Sequence, residues 1–345
     1  MKADKLDRER EIAINISGKK LIAFLIIITL WALSLWGMWI YANKKLVNNE
    51  ASQAEKLYPF INPRLRSLAQ EERTSSAFVT LIPLRDKLFD FLADKKDNTA
   101  FYVEDLNTGA WVGWQEKENF IGASLLKISI AIGVMKKIDD GDWTLDTTFP
   151  IKAEYKNKGF GNLWQVNDGA LLSVRKLLDE MLKNSDNTAS ITLYSNMTPE
   201  ERDNVYYHIG LTNPEMENLN NQSFDIYKIT PRNLATMFRA LYDATYLTRA
   251  SSNYILETLT QTGFDKLIPK NIPSEIKVSH KIAAFSDETL QQYRNYHDCG
   301  IAFVPNHPYL YCLITQDLDS DTAQDIIVGM GDRIFSYFSN EKDKR

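Results

Sequence analysis

Only two cysteines occur in 345 residues, which excludes a disulfide scaffold and any four-thiolate zinc site. The four histidines, His208, His280, His297 and His307, form no H-E-x-x-H or H-x-H pattern, so no metal and no cofactor is expected. A glycine-rich phosphate loop and a G-x-S-x-G elbow are both missing. Fifteen glycines and eleven prolines are too few for a low-complexity chain, and 44% hydrophobic with 25% charged residues is a globular balance. Basic residues are not in excess. Lys and Arg number 40 against 45 Asp and Glu, a net charge of -5, and nucleic acid is therefore an unexpected partner.

What the chain does have is one long apolar run. Leu21 to Ala42 reads LIAFLIIITLWALSLWGMWIYA, and no charge falls between Leu21 and Asn43. Twenty-two helical residues reach roughly 33 Å, enough for a hydrocarbon core of about 30 Å. Trp36, Trp39 and Tyr41 gather at its C-terminal end, where aromatic rings favour the interface. The run is too long for a signal-peptide core, and Trp-Ile-Tyr-Ala-Asn offers no small-x-small cleavage site. Lys2, Lys5, Arg8, Arg10, Lys19 and Lys20 precede it and Lys44 and Lys45 follow, which favours a cytoplasmic N-terminus. The expectation is a single-pass cell-membrane protein. Residues 1–20 would be cytoplasmic, 21–43 the transmembrane helix, 44–75 a stalk, and 76–340 an extracytoplasmic domain.

The domain opens with Phe78, Leu81, Leu84, Leu88, Phe91 and Leu92 at helical spacing. Ala100-Phe-Tyr-Val-Glu and Ala110-Trp-Val-Gly-Trp flank Asp105-Leu-Asn-Thr-Gly109, a hairpin signal. A helix is expected from about Ser124 to Lys137, and helical patterns dominate residues 171 to 262. Strands return at Lys277–Ala284, Cys299–Val304 and Tyr309–Gln316, before a last helix over Asp321–Phe338. This order predicts an α+β fold: an antiparallel sheet flanked by helices, with an all-helical subdomain inserted in its middle. Tyr58, Phe60 and Ile61 of the stalk are candidates to pack back on it.

Ser124-Leu-Leu-Lys127 is the first chemical candidate. A serine hydroxyl needs a neighbouring base, and residues three apart on a helix share a face. Ser-x-x-Lys occurs five times, at Ser17, Ser124, Ser173, Ser274 and Ser339, so the tetrad alone says little. Ser124 differs because it opens an apolar helix after a hairpin, where backbone N–H groups are free. Ser185-Asp-Asn187 follows 61 residues on, and Lys281-Ile-Ala283 a further 96. Taken singly, these three read as a helix cap, a polar turn and a solvated strand lysine.

Together, in this order and spacing, they resemble the signature of the class A serine β-lactamases and their penicillin-recognising relatives: S-x-x-K, S-D-N, then K-T-G. Ile229-Thr-Pro231 and His297-Asp-Cys-Gly-Ile-Ala302 extend the resemblance over residues 78 to 338. It implies a β-lactamase/transpeptidase-like fold and an acyl-enzyme mechanism. Ser124 would be the nucleophile, Lys127 its general base and Ser185 the proton shuttle. Asn187, Lys281 and Ala283 would contact substrate, and Asp186 would be structural. The implied substrate is a β-lactam amide. A D,D-peptidase-like or esterase activity on another acyl substrate and a catalytically silent binding module are the alternatives.

The chain departs from that signature twice. Ile282 replaces a threonine hydroxyl that would bind the substrate carboxylate, and Ala283 replaces a glycine; Ser279 and Ser286 are the hydroxyls nearby. The loop between Ile209-Gly210 and Thr230-Pro231 is short and lacks a clean E-x-x-L-N. Glu217 with Asn221 keeps the Glu-to-Asn interval and is the candidate deacylation base, Glu215 a looser fit. Cys299 and Cys312 fall on the final hairpin, and their pairing stays open.

Overall fold

The computed structural model describes residues 23–43, 45, 58–62, 81–210, 228–286 and 293–339. Two units emerge, Met1–Leu57 and Tyr58–Arg345. In the first, helix α1 (Ala23–Asn43) has a mean hydropathy of 2.0 and is long and apolar enough to cross a membrane. The second begins at Tyr58, inside the segment expected to be stalk.

A five-stranded antiparallel sheet, in the order β2-β1-β9-β8-β7, organises this second unit. Its strands are β1 (Thr99–Asp105), β2 (Trp111–Trp114), β7 (Val278–Ser286), β8 (Tyr293–Ala302) and β9 (Tyr309–Thr315). β1 and β9 are buried along their whole length, as central strands rich in β-branched and aromatic residues should be. The β1–β2 turn closes where Asp105 Oδ1 accepts the Asn107 N–H at 2.7 Å, and Gly109 supplies the left-handed residue at φ +74°.

Strand alternation divides the sheet into two faces. The back face carries Phe101, Val103, Tyr309, Tyr311 and Leu313. It packs on α2 (Ile82–Leu92) and α9 (Ser320–Ser339) through Leu84, Leu88, Ile327 and Ile334. The front face carries Ala100, Tyr102, Cys299, Cys312, Ile314 and Ala283. Helices α3 (Lys127–Asp139), α4 (Val174–Lys183), α5 (Asn187–Ser195), α6 (Pro199–His208), α7 (Pro231–Tyr242) and α8 (Arg249–Leu259) share its core. The expected α+β layering and the helical block between the two groups of strands are both present.

Several boundaries differ from the sequence reading. β8 begins at Tyr293 rather than Cys299, because Asn295, His297 and Asp298 are polar yet buried. Leu171–Ser173 forms a short strand, β5, paired with β4 (Thr148–Pro150) before α4 starts. Ser173 then caps α4, accepting the Lys176 N–H at 3.2 Å, so this Ser-x-x-Lys match is a helix cap. Tyr58, Phe60 and Ile61 do pack on the front core, where Asn62 donates its N–H to the Tyr242 carbonyl at 2.8 Å. Cys299 and Cys312 face each other across β8 and β9 and are disulfide-bonded.

Candidate active site

Ser124 lies in a 3-10 turn, Ala123–Leu126, that precedes α3, and not in the α-helix itself. The turn is tight. Ala123 holds φ +43°, a left-handed value that L side chains rarely adopt. Gly122 leaves room for Ile229 and Leu126; a Cβ there would meet Ile229 Cγ2 at 2.7 Å. The turn leaves Ser124 9% exposed and sends Lys127 inward, 3% exposed.

The second part comes from the junction of α4 and α5. Ser185 is held at φ +55°, and Asp186 caps α5 by accepting the Ala189 N–H at 2.8 Å. The other Asp186 oxygen accepts the Leu163 N–H at 2.9 Å. Gly161 closes against this carboxylate so tightly that a Cβ would lie 2.0 Å from Asp186 Oδ2. Asp186 thus fixes the loop, as its expected structural role requires. Asn187 starts α5 and is braced by Asn157, whose Oδ1 accepts from its Nδ2 at 3.0 Å. Nothing in the sequence marked Asn157.

The third part is β7, the edge strand, whose alternation places Lys281 and Ala283 on the front face. Four of the expected side chains meet here around one hydroxyl. Ser185 Oγ lies 3.1 Å from Ser124 Oγ and accepts hydrogen bonds from Lys127 Nζ at 3.1 Å and Lys281 Nζ at 2.9 Å. A hydroxyl that donates once and accepts twice has the capacity for all three. Lys127 also donates to the Ser185 carbonyl and to Asn187 Oδ1, each at 2.6 Å.

Two amines sharing one oxygen repel, and burial removes the water that would screen them. Burial, then the charge of Lys127, holds the Lys281 ammonium well below its ordinary range, against the upward pull of Asp298. Lys281 is 1% exposed, and the Phe264 ring covers it at 5.6 Å. Asp298 is itself on the back face, held by His280 Nδ1 at 3.0 Å, the Tyr311 hydroxyl at 3.2 Å and the Ile268 N–H at 3.2 Å.

The substituted triad divides between the faces. Ile282 packs against the back core, and Ala283 is 1% exposed, opposite His297 in the sheet register. Ser279 is no substitute for the missing hydroxyl, since it donates to the Leu256 carbonyl at 2.6 Å. The side chain of Ser286, and Glu215 and Glu217, lie outside the described residues. Among the described residues no cluster of metal-ligating side chains occurs. A cavity of about 640 Å³ beside α9, lined by Asp265, Lys266, Lys270 and Asp325, shares no residue with this constellation.

Solved structures with the same fold include PBP-A, with a TM-score of 0.67 at 19% identity over 75% of this chain and 97% of that one. The TLA-1 extended-spectrum β-lactamase gives 0.66 at 20% identity, over 75% of this chain and 99% of that one. The β-lactamase from Sphaerobacter thermophilus DSM 20745 gives 0.64 at 19%, over 73% and 97%. No curated protein matches the chain by sequence. The profile of the Beta-lactamase enzyme family matches residues 83–338, which hold the serine turn, the Ser-Asp-Asn junction and the β7 lysine. The chain belongs to the Beta-lactamase enzyme family and is a serine hydrolase of that type.

Proposed function

We propose that this chain is a membrane-anchored enzyme that opens a β-lactam amide through an acyl-enzyme on Ser124. The observation that carries this reading is the convergence of Ser124, Lys127 and Lys281 on the Ser185 hydroxyl. Ser124 Oγ attacks the acyl carbon while Lys127, as general base, removes its proton. The backbone N–H of Ser124, with one from β7 near Ala283, receives the oxyanion. Collapse breaks the C–N bond, and the proton returns through Ser185 to the leaving nitrogen. Asn187 orients Lys127 and the substrate amide. Water then cleaves the acyl ester, with Glu217 as the base of that step.

Lys281 has a conditional part. Buried and pressed by Lys127, it binds its proton weakly until an anionic group settles beside Ser185, and that group stabilises its charge. The helix of residues 21–43 would hold the domain at the membrane, its N-terminus cytoplasmic.

Ile282 and the buried methyl of Ala283 favour a second reading: an ester or peptide without the usual carboxylate. Turnover of penicillin G against p-nitrophenyl acetate by the full-length chain in detergent separates the two. Ring opening at a catalytic rate supports the lactam. Ester cleavage alone supports the second reading, and neither reaction would mean a silent module.

A further inference from the structure

The serine turn packs against β7 but is not itself a strand of the five-stranded sheet. Among the described residues the strand leading into it, β3 (Phe120–Ile121), has two residues and pairs with the two-residue β6 (Lys228–Ile229). After Ile121 the chain enters Gly122 and the left-handed Ala123, then Ser124. Ser124 and β7 must nevertheless keep a fixed spacing if their N–H groups are to receive one oxyanion.

A buried side chain of β8 joins the entry of this turn to the sheet. His297, on the front face of β8, is 1% exposed and in register with Ala283. Its Nε2 lies 3.0 Å from the Ile121 carbonyl oxygen, and its Nδ1 lies 2.7 Å from the carbonyl of Tyr296, its own chain neighbour. The Phe285 ring packs edge-on at 5.8 Å and fixes the imidazole plane. Burial pushes the imidazole down to about 4, so near pH 7 it carries one proton for two carbonyl oxygens. The Nδ1 contact is local and constrains no other segment. The Nε2 contact joins residues 176 apart in sequence.

Accepting Ser124 as the nucleophile, we propose that His297 is a positioning residue whose Nε2–H holds the Ile121 carbonyl and thereby sets the spacing of the serine turn from β7. It touches no reacting atom. Displacement of an attacking group by about 1 Å costs on the order of 100-fold in rate, which sets the size of the expected effect.

The test uses the full-length chain in detergent with two readouts. With ¹⁵N-labelled histidine, and His297→Gln to assign the signal, His297 should be the Nε2–H tautomer at neutral pH; an Nδ1–H tautomer overturns the proposal. Acylation of Ser124 by penicillin G or p-nitrophenyl acetate should fall about 100-fold in His297→Leu. His297→Gln, whose side-chain N–H reaches the same carbonyl, should stay within about fivefold of wild type. Wild-type rates in the leucine variant, or equal losses in both, contradict the clamp. Should His297→Leu not fold, the glutamine variant and the tautomer decide. If the wild type takes neither reagent, the reading of Ser124 falls, while the tautomer still judges the clamp.

Discussion

The two faces of β7 and β8 use buried polar groups in opposite ways. On the back face, Asp298 is enclosed by three donors, and its His280 partner sits over Gly300, where a Cβ would meet His280 Cβ at 2.7 Å. That carboxylate is matched by its donors, and the cluster holds β7, β8 and β9 to the segment around Ile268. On the front face, one residue away, the Lys281 and Lys127 amines share a single hydroxyl oxygen. A site meant only for stability would not press two buried amines onto the same oxygen. The charge of Lys281 is held down there, and under the proposed function an incoming anion restores it. Perturbed groups of this kind concentrate where chemistry is done.

That contrast can be broken from either side. The largest effect is expected from Ser185→Ala, which removes the oxygen joining both lysines to Ser124. Acylation should fall by about 10² to 10⁴, as for loss of a proton-transfer group, with little change in melting temperature. Equal loss of stability and rate would place Ser185 in the scaffold alone.

Next comes pH. His297 is held down at about 4 from the usual 6.5, so the unfolded chain binds its proton first as pH falls. Stability from this residue is complete above about pH 6.5 and is lost between there and pH 4, by roughly 3 kcal/mol. Urea unfolding of wild type and His297→Gln across that range checks it; the variant should lose less. Replacing Cys299 and Cys312 together by serine opens a 13-residue separation and should cost about 3 kcal/mol. Their row continues through Lys281 and Tyr102, so a rate loss beyond the stability loss would show that the bond supports the front face.

A smaller change is expected from Asp298→Asn on the back face, about 1–3 kcal/mol as its donors lose a charged acceptor. The same variant removes the carboxylate that holds Lys281 up, so any basic limb of the acylation profile owed to Lys281 should move to lower pH. An unmoved limb would mean that the two faces do not communicate.

Much of this arrangement was legible in the residues. The β1–β2 hairpin, the last two strands and α9 announced themselves because their periodicities are regular and their turns carry Asn, Gly and Pro. Ser124, Lys127, Ser185 and Lys281 were legible only as an ordered set, since each alone is commonplace and Ser173 shows how a matching tetrad becomes a helix cap. The start of β8 was hidden because its buried polar residues read as loop until their partners are known. His297, Asn157 and Phe264 escaped for a related reason. Their roles depend on partners 176, 30 and 17 residues away, and no local pattern encodes such distances. Helical spacing over Ser124 likewise missed the strained 3-10 turn that presents it, because strain at Ala123 is imposed by packing around Gly122.

The chemistry proposed for this site depends on a covalent acyl-enzyme at Ser124. Intact-mass spectrometry of the full-length chain with penicillin G, beside Ser124→Ala, tests it most directly. An adduct of the mass of the intact penicillin is expected on the wild type alone, mapped to the peptide holding Ser124 and decaying as ring-opened product accumulates. An equal adduct on Ser124→Ala, or none on the wild type with either penicillin G or p-nitrophenyl acetate, would contradict it.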